Sequence, residues 1–183
     1  FKTIYRMKKG LLVLAMIFFA FNSYGQLGLP YYDSAMDKYE RKDYEGAVYE
    51  ISKAIELENS NSIFIGGWYA MRGGIKGMLK DYRGALVDYD KAISLTPTYK
   101  TESIANSYNA RSSTNVLLGK YEDAIKDIDN AIKLFPKEGL FYATRGLAKI
   151  NINSLKDSGC LDFSKAGELG YKEAYEVIKG VCN

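Results

Sequence analysis

The chain has 183 residues, 47% of them hydrophobic and 26% charged, with a formal net charge of +3. That is one domain's worth of chain, enough to bury a continuous core along a short helical array. It contains no histidine, which removes the commonest general base and the commonest metal ligand together. Its two cysteines, Cys160 and Cys182, are too few for a Cys-only zinc site.

Residues 6–25 open with Arg6, Met7, Lys8 and Lys9, run through an apolar stretch from Leu11 to Phe21, and end in Asn22, Ser23, Tyr24 and Gly25. A basic start, a short apolar centre and small residues at Ser23 and Gly25 predict a secretory signal peptide over 1–25, cut after Gly25. The apolar run is about half the length that a membrane-spanning helix needs; the alternative is a retained N-terminal anchor helix. Met7, directly before the basic pair, is the expected start, with Phe1 to Arg6 upstream of it. Removing Lys2, Arg6, Lys8 and Lys9 leaves 21 basic against 22 acidic residues, a net charge of −1. A near-neutral mature chain with no dense basic cluster does not suit nucleic-acid binding. No stable membrane insertion is expected after cleavage, and the chain is expected to be periplasmic or secreted.

Beyond Gln26 one pattern returns three times. It reads Asp43-Tyr44-Glu45-Gly46-Ala47 running to Ala54-Ile55, then Asp81-Tyr82-Arg83-Gly84-Ala85 running to Ala92-Ile93, then Lys120-Tyr121-Glu122-Asp123-Ala124 running to Ala131-Ile132. The paired alanines stand seven apart with Ile51, Tyr89 or Ile128 between them, so small and large residues share one helical face. Pro97 and Pro136 close the second and third copies, where the first has Asn59. Upstream of each copy lies a second helical stretch, marked by Ser34-Ala35, Arg72-Gly73 and Arg111-Ser112, and the same mark returns after the third copy at Arg145-Gly146. Two helices joined by a short turn make a hairpin that cannot bury its apolar face alone and must stack on its neighbours.

This series resembles the tetratricopeptide repeat (TPR) consensus. The resemblance implies an all-α fold, an α-α superhelix of about four hairpins with a C-terminal capping helix. Units are expected at about 28–61, 66–99 and 105–138, with a degenerate fourth at 139–170 and a cap at 171–183. In that fourth unit Gly159 replaces the first alanine and one residue is added. The second and third units are each preceded by four or five extra residues, at 59–67 and 98–104, expected to lengthen the first helix or the loop before it. Ala166-Gly167-Glu168-Leu169-Gly170 followed by Ala174 resembles a Sel1-like ending.

Arg72, Arg111 and Arg145 are followed 16, 16 and 17 residues later by Asp88, Asp127 and Asp162. Opposite charges at fixed spacing on paired helices predict structural ion pairs, which set geometry more than they add net stability; a ligand-facing arginine row is the other reading. Cys160 and Cys182 fall at ends that antiparallel packing would bring together. In an exported chain that predicts a disulfide fastening the last helix, worth roughly 3 kcal/mol in the chain-entropy model. A redox-active pair would want C-x-x-C spacing.

By the resemblance, first helices line a concave face that takes a protein or peptide partner. The matching positions are Tyr32, Met36 and Tyr39, then Ala70, Gly74 and Gly77, then Asn109, Ser113 and Val116, then Ala143, Leu147 and Ile150. Tyr32 and Tyr39 offer rigid contact area at low entropy cost. The lysine and asparagine clamp with which some TPR proteins hold a C-terminal carboxylate is missing, its places taken by Tyr32, Met36 and Met71. The expected function is a protein-interaction scaffold or adaptor of the cell envelope, without catalytic residue, cofactor or metal. A carbohydrate or cell-wall binder using exposed tyrosines, and a carboxylate-only hydrolase, are the alternatives.

Overall fold

A computed structural model describes residues 27–58 and 62–182. The expected signal segment 1–25 and Asn59 lie outside the described residues. Among those residues the secondary structure is helical, without strands. The helices are α1 (Leu29–Glu40), α2 (Tyr44–Leu57), α3 (Ile65–Met78), α4 (Tyr82–Leu95), α5 (Thr101–Leu117), α6 (Tyr121–Leu134), α7 (Gly139–Ile150), α8 (Lys156–Glu168) and α9 (Ala174–Val181). They fall into two compact units that divide between Ile65 and Gly66.

The first unit is the α1–α2 hairpin. Pro30 starts α1, where its missing N–H costs nothing. The turn into α2 passes through Lys42, at φ 62°, and closes with Lys42 N donating to Tyr39 O and Asp43 N to Lys38 O. The same bonds recur in the second unit at Lys80 (φ 63°) and Asp81, and at Gly119 (φ 71°) and Lys120. This is the Schellman closure, which satisfies the last carbonyls of the first helix and reverses the chain at once. Asp43 and Asp81 then cap the next helix, each accepting from a backbone N–H three residues on at 2.9 Å. The third copy has Lys120 there and no side-chain cap; Glu122 and Asp123 face the helix dipole instead.

The seven-spaced alanines sit where the pattern puts them. Ala47, Ala54, Ala85, Ala92, Ala124 and Ala131 are all fully buried, with Ile51, Tyr89 and Ile128 beside them. In the second unit, Ala105, Ile128, Ala131 and Phe141 form one core cluster, and Ala143, Phe163, Ala166 and Ala174 another. The fourth hairpin, α7–α8, departs at two points. Its turn is loosened into a short 3-10 helix at Asn153–Leu155, which absorbs the added residue. Gly159 replaces an alanine because a Cβ there would fall 2.7 Å from Ile150 Cγ2 and 3.0 Å from the Gly146 carbonyl; the helices simply approach closer. The extra residues before the third copy go into the helix: α5 has 17 residues against 12 in α7.

Helix α3 is the oddity, with glycine at 66, 67, 73, 74 and 77. Two of these are required by packing. A Cβ on Gly66 would lie 2.2 Å from Thr96 Oγ1 and 2.9 Å from its backbone N, and one on Gly73 would lie 3.0 Å from the Tyr89 ring. A Cβ on Gly67 or Gly77 would meet nothing within 4 Å. Gly67→Ala and Gly77→Ala should therefore each stabilise the fold by about 0.5–1 kcal/mol through helix propensity. Gly66→Ala should destabilise it by about 1–3 kcal/mol through overpacking. Midpoints of urea unfolding for the three variants check both signs.

Candidate functional site

Two features of the second unit are candidates for function: a ladder of ion pairs and a groove.

The ladder is built the same way on three first helices. Arg72 donates through Nε and Nη2 to the two carboxylate oxygens of Asp88, at 2.9 and 2.7 Å. Arg111 does so to Asp127 at 2.9 and 2.6 Å, and Arg145 to Asp162 at 2.9 and 2.7 Å. Four residues on, a second donor reaches each carboxylate: Lys76 to Asp88 and Lys149 to Asp162, both at 2.8 Å, and Asn115 to Asp127 at 3.2 Å. Three residues back, a tyrosine ring lies under each guanidinium, Tyr69, Tyr108 and Tyr142, at 5.2, 5.5 and 5.3 Å. The remaining nitrogen of Arg111 binds Asp90, and that of Arg145 binds Asp129 at 2.7 Å, both on the preceding second helix. Hydrogen bonding to Asp162 outweighs the penalty of burial and holds the Arg145 pKa above its ordinary value. In the first unit Ser34 stands in the arginine's place, and the pair is made by Lys38 and Glu50 at 3.4 Å.

These contacts use up the arginines. Asp88, Asp127 and Asp162 are at least nine-tenths buried, and each is met by an arginine fork and a further donor, so none is poised for acid–base chemistry. A cleft of about 280 Å³ beside the middle rung is lined by Asp90, Arg111, Asn115 and Asp127 with Lys120, Asp123 and Lys126. It holds carboxylates, but Asp90 and Asp127 are bound to Arg111 and Asp123 to Lys126. Among the described residues there is no group of three metal-ligating side chains. The exposed tyrosines Tyr31, Tyr49, Tyr99 and Tyr175 stand on four different segments.

The groove, of about 420 Å³, lies between α3 and α5 over α4. Gly66, Gly67, Ala70 and Gly74 of α3 form one wall, Ser103, Asn106, Ser107 and Ala110 of α5 the other, and Tyr89 of α4 and Thr96 just after that helix close the bottom. No charged side chain lines it. Thr96 Oγ1 donates to the Ala92 carbonyl and Ser107 Oγ to the Ser103 carbonyl, which leaves Ser103 and Asn106 as its exposed polar groups. Burial first, then the Asp88 charge, pushes the Tyr89 phenol above its ordinary pKa, against a hydrogen bond with Thr114.

Of the sequence-predicted binding residues, Ala70 and Gly74 line this groove. Asn109 accepts from Thr144 Oγ1 at 2.9 Å and so ties α5 to α7. Ser113 is exposed, Val116 half-buried and Leu147 45% exposed. Tyr32, Met36 and Tyr39 are half-buried on α1 in the first unit, with the Tyr39 ring 5.9 Å from that of Tyr44. Sequence reasoning missed Ser103, Asn106 and Ala110. They lie on the same stripe as Ser113, stepped back by threes and fours, with Ser103 on the turn by which α5 outruns α7. It also missed Lys76, Asn115 and Lys149, although Tyr-x-x-Arg-x-x-x-Lys or -Asn repeats openly in the chain. Cys160 and Cys182 are joined in a disulfide.

Residues 105–138 match the family model of the tetratricopeptide repeat, the stretch folded as most of α5 with α6. Serine/threonine-protein phosphatase 5 of Rattus norvegicus is 34% identical over 104 residues, 57% of this chain; the chain spans 19% of that protein's length. MamA from Desulfovibrio magneticus RS-1 superposes with a TM-score of 0.69 at 18% identity, over 80% of this chain and 77% of that one. The second TPR domain of human RPAP3, solved with an HSP70 peptide, gives 0.55 at 23% identity, over 64% and 98%. At these identities the structural likeness is one of fold. The chain thus carries a tetratricopeptide repeat, and its fold is that of helical-repeat proteins such as MamA.

The ladder's two kinds of aspartate should respond differently. Asp162→Ala strands Arg145 and Lys149 against a buried site and should cost about 3 kcal/mol. Asp129→Ala removes a partner that is 41% exposed and should cost under about 1 kcal/mol. Denaturant unfolding of both variants measures the difference.

Proposed function

We propose that residues 26–183 form a protein-interaction module of an exported protein, and that its partner inserts an uncharged segment into the groove between α3 and α5. The observation that carries this reading is the groove's make-up: a wall of bare backbone at Gly67 and Gly74, exposed Ser103 and Asn106 opposite, and no charge. A wall without side chains lets a partner's backbone or a bulky apolar side chain come close. The hydroxyl and amide across from it can bond a peptide backbone without demanding a particular side chain. The second TPR domain of RPAP3 lends support, since its HSP70 peptide shows a related fold holding a short segment. That peptide, SGPTIEEVD, is acidic. Nothing lining this groove would compensate such charge, so the favoured partner differs in kind.

Export is supported by the disulfide, which persists in oxidising compartments, and by the signal-like composition of residues 1–25. Among the described residues no helix is long and apolar enough to cross a membrane. The C-terminal stretch, with Gly167, Gly170 and Ala174, is read as a Sel1-like end closing the array.

The test separates folding from binding. Peptides selected by display against the mature chain should be uncharged at their core and should bind through the groove. Gly74→Leu, whose Cβ would meet only Tyr89 Oη at 3.8 Å, should leave unfolding unimpaired and weaken those peptides at least tenfold. Selected peptides that bind Gly74→Leu as tightly as the wild type, or selection of acidic tails, would overturn the reading.

A further inference from the structure

Helix α9 has eight residues and stands where the first helix of a further hairpin would begin, after a turn at Gly170 with φ 97°. It covers the apolar end of the α7–α8 hairpin. Ala174 packs against Ala143, Phe163 and Ala166, with Val177 and Ile178 half-buried beside them. The approach is close: a Cβ on Gly167 of α8 would fall 2.5 Å from the Tyr175 ring. Yet Ala174 is its one buried residue, and a helix this short does not persist on its own in water. Its outer face, with Glu176 and Lys179, is exposed. Noncovalent contact holds α9 thinly. What ties it down is the residue that follows its last turn, Cys182, bonded to Cys160 in the first half of α8, 22 positions earlier. Both cysteines keep partial solvent exposure.

We propose that this disulfide is a redox lock on the cap: closed, it holds α9 over the Phe163 face; opened, it releases α9 and uncovers that face while the hairpins before it stay folded. The opening step is thiol–disulfide exchange with a dithiol reductant. A thiolate of the reductant attacks one sulfur of the bridge and forms a mixed disulfide, and the other sulfur leaves as a thiolate and takes up a proton. The reductant's second thiol then displaces the first sulfur of this chain. Two thiols remain on Cys160 and Cys182, and the reductant carries away one disulfide, so two electrons and two protons pass to the chain. Opening a ring of about 20 residues raises the undocked fraction of α9 about a hundredfold in the chain-entropy model.

Hydrogen exchange read by mass spectrometry tests this on the mature chain, oxidised and after treatment with dithiothreitol, with the two-proton mass gain confirming reduction. The expected result is that amides of 174–181 exchange about a hundredfold faster once reduced, those of α5 to α8 keep their protection, and reoxidation restores the first state. Cys182→Ser should reproduce the reduced pattern without any reductant. Unchanged protection of 174–181 in the reduced chain would mean that packing alone holds the cap. Joint loss of protection across α7, α8 and α9 would mean that the bridge staples the whole end. Either result overturns the proposal.

Discussion

Each hairpin of the second unit closes on a bidentate bond between the arginine of its first helix and a buried aspartate of its second. Two parallel N–H···O contacts tolerate little rotation, and a buried carboxylate left unmet is costly, so the bond fixes the angle at which the two helices cross. In Arg111 and Arg145 the third nitrogen reaches an aspartate of the preceding second helix. One side chain thus sets the geometry inside a hairpin and between neighbours. Such a pair adds little net free energy over well-packed apolar residues; its contribution is specificity. The free energy itself comes from burial around the paired alanines and Ile128, Phe141 and Phe163.

That division of labour explains how α5 folds at all. Its sequence, Thr101 to Leu117, shows almost no amphipathic pattern, and Ser107, Ser112, Thr114 and Asn115 are buried in it. Each has its partner. Ser107 and Thr114 donate back to carbonyls four residues earlier, Ser112 donates to the Ala124 carbonyl of α6, and Asn115 donates to Asp127. Ser112 occupies the packing point that glycine holds in α3 and α7, and turns the close approach into a hydrogen bond. With polar groups satisfied locally and register fixed by Arg111, the helix needs no strong apolar stripe. Its outer stripe is free to carry Ser103, Asn106 and Ala110.

Much of this was legible in the sequence for a physical reason. Small residues at seven-residue spacing, a turn tyrosine and a distant opposite charge are all consequences of helices crossing closely, and they repeat because the crossing repeats. The arginine and aspartate spacing located bonds that the structure draws at hydrogen-bond distance. The groove was legible only in part. Its α3 wall follows the repeat, so Ala70 and Gly74 could be named. Its α5 wall follows a stripe beside the one that the register of the other copies marks; that register points to Asn109 instead, and Asn109 is engaged with Thr144. Lys38 and Glu50 stand at the places of Lys76 and Asp88, but with serine at 34 and a longer acid at 50 the arginine and aspartate signature of the other copies is missing there.

The glycines of α3 decide how the groove should be understood. Each glycine in a helix interior costs about 1 kcal/mol relative to alanine, and α3 has five. Gly66 and Gly73 are accounted for by the backbone and ring that would clash with a side chain. Gly67, Gly74 and Gly77 have no such neighbour; the closest atom to a Cβ on any of them is Tyr89 Oη, at 3.8 Å from that of Gly74. The helix keeps its shape through the burial of Trp68 and Ile75 and the anchoring of Arg72 and Lys76 on Asp88, all on the side away from that stripe. Of these, Gly67 and Gly74 line the groove, so its depth and the strength of the helix pull in opposite directions there. Any side chain at either would strengthen α3 and shallow the groove. The fold can do without these two glycines, whereas a wall of exposed backbone opposite Ser103 and Asn106 cannot be made without them.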